Sequence, residues 1–152
     1  MTHIDKFPDA WLLGIDAIDK EHKALFYLLK SHANSTEKST YRDGCFLDHF
    51  LKELRIHFAH EERVMYKKSY PDTKNHALHH KALHERLAAL KTANLSEMDT
   101  AQECLKIFIR DIVIEDLKFQ KYCSETITNK QLGDPSARPP ASVHTDAGNT
   151  RA

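Results

Sequence analysis

Helix breakers are scarce in this chain. Between Ala10 and Asp134 there is one proline, Pro71, and the only glycines up to that point are Gly14, Gly44 and Gly133. Such a shortage argues against many short strands joined by tight turns and favours long helices. Cysteine is equally sparse: Cys45, Cys104 and Cys123 are odd in number, far apart and without CxxC spacing. A disulfide framework and a zinc knuckle are both excluded as readings, which leaves small buried thiols in a reducing compartment. No charge of either sign is in excess, with 22 acidic and 22 basic residues. Nothing in that balance points to nucleic acid or a membrane surface. Long apolar runs are missing too. No window approaches the ~18 residues of a spanning helix, and MTHIDKFPDAW lacks the basic and apolar regions of a signal peptide. The expectation is a soluble, cytoplasmic protein.

What the chain does have is histidine. Eleven are present, and ten lie at or before His84. Histidine is the commonest metal ligand and the usual proton carrier near neutral pH.

Four amphipathic stripes repeat with the helical period. They are Ile15, Ile18, His22, Leu25 and Leu29; then Leu47, Phe50, Leu54, His57, Glu61 and Val64; then His76, His80, Leu83, Leu87 and Leu90; then Leu105, Phe108, Ile112, Asp116 and Phe119. Polar NSTEKST, the Tyr70-Pro71-Asp72 break and the Asn94–Ser96 link separate them, with Ser96 or Asp99 as helix cap. Short links imply antiparallel neighbours. The expected fold is therefore all-α, an up-down-up-down four-helix bundle over residues 15–130. Residues 1–14 form an N-terminal arm, which Trp11 packs against the bundle end. Residues 131–152, rich in Pro, Ala, Ser, Thr and Gly, form a disordered tail.

Six polar residues interrupt the apolar stripes: His22, His57, Glu61, His76, His80 and Asp116. Burying that many ionisable groups is unfavourable unless they pair or bind an ion. His57 and Glu61 are four apart and share a helix face, as do His76 and His80. All four helices thus aim at one interior point, which is how metal sites in bundle cores are built. Imidazoles and carboxylates without thiolate suit iron, manganese or zinc. Six or seven ligands are too many for one ion with an open position, but suit two. The bland alternative is a set of satisfied core histidines, and the run NHALHHKALHERL leaves open whether His76/His80 or His80/His84 is the ligand pair. Glu62, His60, His49, His32 and His3 read as solvated.

The segments GIDAIDKEH, HFAHEERVM and YPDTKNHALHH, in that order, resemble the hemerythrin family, and within it the single-domain bacteriohemerythrins. The likeness spans roughly residues 10–122. It implies a non-heme diiron centre that binds O2. One iron would take His22 and His57, the other His76 and His80, with Glu61 and Asp116 bridging. It also selects His76/His80 over His80/His84. The fourth helix departs from the family pattern: FIRDIVIED carries Asp111 where a third histidine for the second iron is expected. Asp111 is then a ligand in its place, with Glu115 in reserve. A spacing of five sets Asp111 and Asp116 about 140° apart on an ideal helix. The added negative charge should favour ferric over ferrous iron and make the site oxidise more readily. Phe58, Phe108 and Ile112 are expected to wall a dry O2 pocket.

Three functions follow as expectations. The first is an O2 carrier, store or sensor without enzymatic turnover. The second is a diiron oxidase, ferroxidase or NO- or peroxide-handling enzyme. The third is a metal-poor interaction module.

Overall fold

The computed structural model describes residues 4–34 and 45–132, and among these every regular element is helical. Helix α1 spans Asp16–Ala33, α2 Cys45–Lys67, α3 Thr73–Ala88, α4 Glu97–Asp111 and α5 Leu117–Leu132. A π-helical turn over Ile112–Asp116 joins α4 to α5 without a break, so the two make the fourth helix of the bundle. Single 3-10 turns occupy Asp9–Trp11 and Ala89–Thr92. α1 packs chiefly on α4 and α2, and α2 on α3. The all-α bundle expected from the stripes is the fold. Apart from residues 131 and 132, which end α5, the tail expected to be disordered lies outside the described residues.

Local chemistry sets the helix ends. Gly14 turns the chain into α1 with φ 77°. The Asp19 carboxylate reaches back to accept from the Leu13 amide at 2.7 Å and the Gly14 amide at 3.0 Å. That ties the two amides just ahead of the helix to its first turn. α2 stops at a left-handed Ser69, φ 56°, where the Tyr70 amide donates to Met65 O and the Ser69 amide to Tyr66 O, both at 3.0 Å. Ser96 caps α4, its Oγ accepting from the Asp99 amide at 3.0 Å.

The arm does not sit on the bundle end as expected. It runs alongside α1: Lys30 Nζ donates to Ile4 O at 2.6 Å, the Phe7 amide donates to Tyr27 Oη at 3.3 Å, and Leu13 meets the helix start. Phe7, not Trp11, is the buried anchor; the two rings meet edge-on, and both lean on Phe26. The reason is area: laid along the helix, the arm buries Phe7 and Leu13 and partly covers Ile4, Trp11 and Leu12.

The apolar core is in two parts. The larger holds Phe26, Leu29, Phe50, Leu54, Leu87 and Phe108. The smaller holds Leu13, Ile18, Met65 and Phe119. Between them, in every helix that reaches both, sit the polar residues of the stripes: His22 between Ile18 and Leu25, Glu61 between Phe58 and Met65, Asp116 between Ile112 and Phe119.

A buried histidine and carboxylate cluster

The polar layer is a closed set of donor atoms. His22, His57, Glu61, His76, His80 and Asp116 are each at most 3 % exposed. Their ring nitrogens and carboxylate oxygens approach as ligands of a shared ion would. His22 Nε2 lies 3.2 Å from Asp116 Oδ2, and His76 Nε2 lies 3.3 Å from Asp116 Oδ1. Glu61 Oε2 lies 3.5 Å from His76 Nε2 and 3.2 Å from His80 Nε2. None of these contacts has hydrogen-bond alignment, so nine buried side-chain atoms of the six residues have no hydrogen-bond partner.

The donors fall into two overlapping groups. Glu61, His76, His80 and Asp116 form one, and His22, His57 and Glu61 the other; within each, the donor atoms all lie within 4.8 Å of one another. Glu61 belongs to both. Asp116 directs Oδ2 toward His22 and Oδ1 toward His76. A carboxylate with one oxygen toward each group is in position to bridge two cations.

The π turn explains how the fourth helix contributes. On an α-helix Asp111 and Asp116 diverge, but a π turn closes i→i+5, and the Leu117 amide reaches back to Ile112 O. Both aspartates thereby enter the interior, Asp111 at 3 % and Asp116 at 0 % exposure. Glu115 turns outward to accept from Lys118 Nζ at 2.9 Å. Asp111 is buried beside the cluster but is not in either donor group; its Oδ1 lies 2.8 Å from His79 Nε2. His84 also stays outside, with Nε2 3.2 Å from Leu51 O.

A second layer of residues holds the first. His57 Nδ1 is 2.9 Å from Glu21 Oε2, and His80 Nδ1 is 2.9 Å from Glu62 Oε1. A carboxylate that accepts a hydrogen bond from Nδ1–H keeps the proton on that nitrogen and leaves the Nε2 lone pair free to face inward. Glu21 also meets His60 Nδ1 at 2.6 Å. Glu62, His60 and His32 are thus not simply solvated: each is half-buried and paired, His32 Nδ1 with Glu97 at 2.6 Å. His49 is exposed as expected, and His3 lies outside the described residues. One signal for the outer layer was present in the sequence. Glu21, Glu62 and His79 each adjoin an inward residue, and a neighbour on a helix points about 100° away, which is toward the seam with the next helix.

The protonation of the metal-free cluster follows from its charges. Burial disfavours a charged His76, but Asp116 and Glu61 beside it prevail and hold its pKa up at about 10. For His22 burial is again opposed and outweighed, mainly by Asp116, so its pKa is raised. Burial alone would raise Asp116, yet His22 and His76 bring it well below the usual carboxylate range. Asp111 goes the other way: burial raises it, and the nearby Asp116 charge adds to that against the lowering effect of His79.

The expected pocket residues are all buried. Phe58 stacks flat on the His80 ring with centroids 3.7 Å apart, Phe108 meets His22 edge-on at 5.9 Å, and Ile112 packs in the larger core. Cys104 is buried in that core, where burial raises its thiol to about 12, so it is inert packing.

Among comparisons with known proteins, the family model for the hemerythrin HHE cation binding domain matches residues 13–122. No curated protein and no solved structure gives a significant match. No helix among the described residues is long and apolar enough to cross a membrane.

Proposed function

Because the chain belongs to the hemerythrin family of HHE cation-binding domains, we propose that its donor cluster holds two iron ions and that the loaded protein binds O2 reversibly. On this reading it is a carrier, store or sensor and not an enzyme. The observation that carries it is the set of nine orphaned donor atoms on six buried side chains. A buried polar atom left without a hydrogen-bond partner costs stability. Cations remove that penalty. The donor chemistry fits iron: imidazole and carboxylate without thiolate. Two ions rather than one fit the two groups that share Glu61 and the two-sided Asp116.

Bound iron would supply an exchangeable electron and an open coordination position for O2. The protein supplies the rest. Glu21 and Glu62 orient His57 and His80, and Phe58, Phe108 and Ile112 keep water from the inner face. A second reading, a diiron oxidase, is favoured by one feature: Asp111 brings a third carboxylate to the interior, which stabilises the higher iron charge.

The test is an optical spectrum of ferrous-loaded protein prepared without O2, then with O2, then after O2 is stripped. A charge-transfer band that appears and then vanishes supports the carrier or sensor. A band that decays to a stable ferric spectrum supports the oxidase reading. Absence of any iron-dependent band would sink the diiron proposal.

A further inference from the structure

Three inward side chains are each tied to an outer group across a helix seam, and in the third the charges are exchanged. In the first two, an imidazole lies inside and a carboxylate outside: His57 on Glu21 and His80 on Glu62. In the third, the carboxylate lies inside and the imidazole outside. The Asp111 side chain is 1 % exposed, that of His79 is 38 % exposed, and Oδ1 and Nε2 are 2.8 Å apart. We propose that His79 is a positioning residue for Asp111, and that Asp111 is the terminal ligand of the cation held by Glu61, His76, His80 and Asp116. This inference rests on the two-metal reading above.

Three features of the molecule converge on it. The π turn brings both Asp111 and Asp116 inside, which a regular helix would not do. π turns persist mainly where function needs them, and Asp116 alone would need none. Next, the fourth helix presents three acidic residues here, and the fold sorts them: Glu115 goes out to Lys118 while Asp111 and Asp116 stay in. A carboxylate kept beside Glu61 and Asp116 is repelled by both unless a cation compensates it. Finally, His79 adjoins His80 on α3. The ring that orients Asp111 is therefore fixed to the same helical turn as a donor of that group. His79 donates through Nε2 to Oδ1, which fixes the orientation of the carboxylate and leaves Oδ2 free to serve as ligand. The pair performs the task of His80 and Glu62 with the acidic and basic partners exchanged.

The exchange makes the test. The 152-residue chain and the variants His79→Ala, His79→Gln, His79→Glu and His79→Glu/Asp111→His are loaded with ferrous iron without O2 and desalted. Iron per chain is counted, affinity is measured against a competing chelator, and melting of the metal-free form reports folding. Wild type should hold two ions per chain. His79→Ala leaves the buried Asp111 carboxyl without its partner, so it should lower metal-free melting without abolishing folding and weaken one of the two ions by about 10- to 100-fold. His79→Gln, whose amide nitrogen still donates, should recover most of that loss. His79→Glu sets two carboxylates against each other and should lose the same ion. The double variant, with imidazole inside and carboxylate outside, should regain it. If His79→Ala holds both ions at wild-type affinity, or the double variant does no better than His79→Glu, the positioning role is overturned while the two-metal reading stands. If wild type takes up no iron, both fall together.

Discussion

Metal uptake should expel protons, and the pH dependence follows from the cluster. In the metal-free protein His76 carries a proton at pH 7, because Asp116 at 3.3 Å and Glu61 at 3.5 Å overcome burial and hold its pKa at about 10. Its Nε2 is the atom that faces both carboxylates. A cation can take that position only if the proton leaves. From pH 7 to pH 9 the group is still mostly protonated, so each pH unit should tighten binding about tenfold per proton released. For His76 alone that is about 100-fold over the range, or about 2.7 kcal/mol. His22 is raised as well and can only steepen the slope. The assay is calorimetric titration with Mn2+, which resists hydrolysis in this range, in buffers of differing ionisation enthalpy. Heat that varies with buffer counts the protons. Affinity that is flat from pH 7 to 9, with buffer-independent heat, would refute the reasoning. The same groups shape the stability of the metal-free fold. His76 is raised on folding, so its contribution is full below its ordinary 6.5 and lost as pH climbs through about 10. Asp116 is depressed, so its contribution is present above its ordinary 3.8 and lost as pH falls toward its lowered value. Metal-free melting temperature should therefore plateau between those ordinary values and decline on either side, above 6.5 as His76 deprotonates and below 3.8 as Asp116 takes up its proton. The gap between loaded and metal-free protein should widen as pH rises.

Three further outcomes can be checked directly. Glu62→Ala removes the acceptor that holds His80 Nδ1 and should weaken metal binding about 10- to 100-fold; unchanged affinity in the chelator competition would show that His80 needs no outer partner. Phe108→Ala opens a cavity where a fully buried ring meets His22 at 5.9 Å and Phe50 at 6.4 Å. It should lower unfolding free energy by about 3–5 kcal/mol in denaturant titration. Ser69→Gly relieves a left-handed residue at φ 56° and should raise stability by up to about 1 kcal/mol, the αL strain less the greater chain entropy of glycine; a loss in the same titration would show that the Ser69 side chain matters.

The scarcity of breakers and the 3.6-residue stripes determined four helices and their order, because both are local properties of the chain. The same stripes exposed the inward polar residues, since His22, His57, Glu61, His76, His80 and Asp116 stand where apolar residues belong. Where a stripe allowed two phases, sequence spacing alone could not choose. His80 and His84 share a face as well as His76 and His80 do, and only packing against α2 turned His84 to the Leu51 carbonyl. The π turn was not legible either. Nothing in IVIED demands it by propensity; it is seen only in the docked fourth helix, where Asp111 and Asp116 both lie inside. The pairings of the outer residues Glu21, Glu62 and His79 are not set by spacing, because each meets its inner residue on a different helix. The course of the arm along α1 was hidden for the same reason. Sequence by itself determined which residues must face inward, a matter of period. Which atoms then meet was decided by how the helices dock, because hydrogen bonds and ligand sets form between segments far apart in the chain.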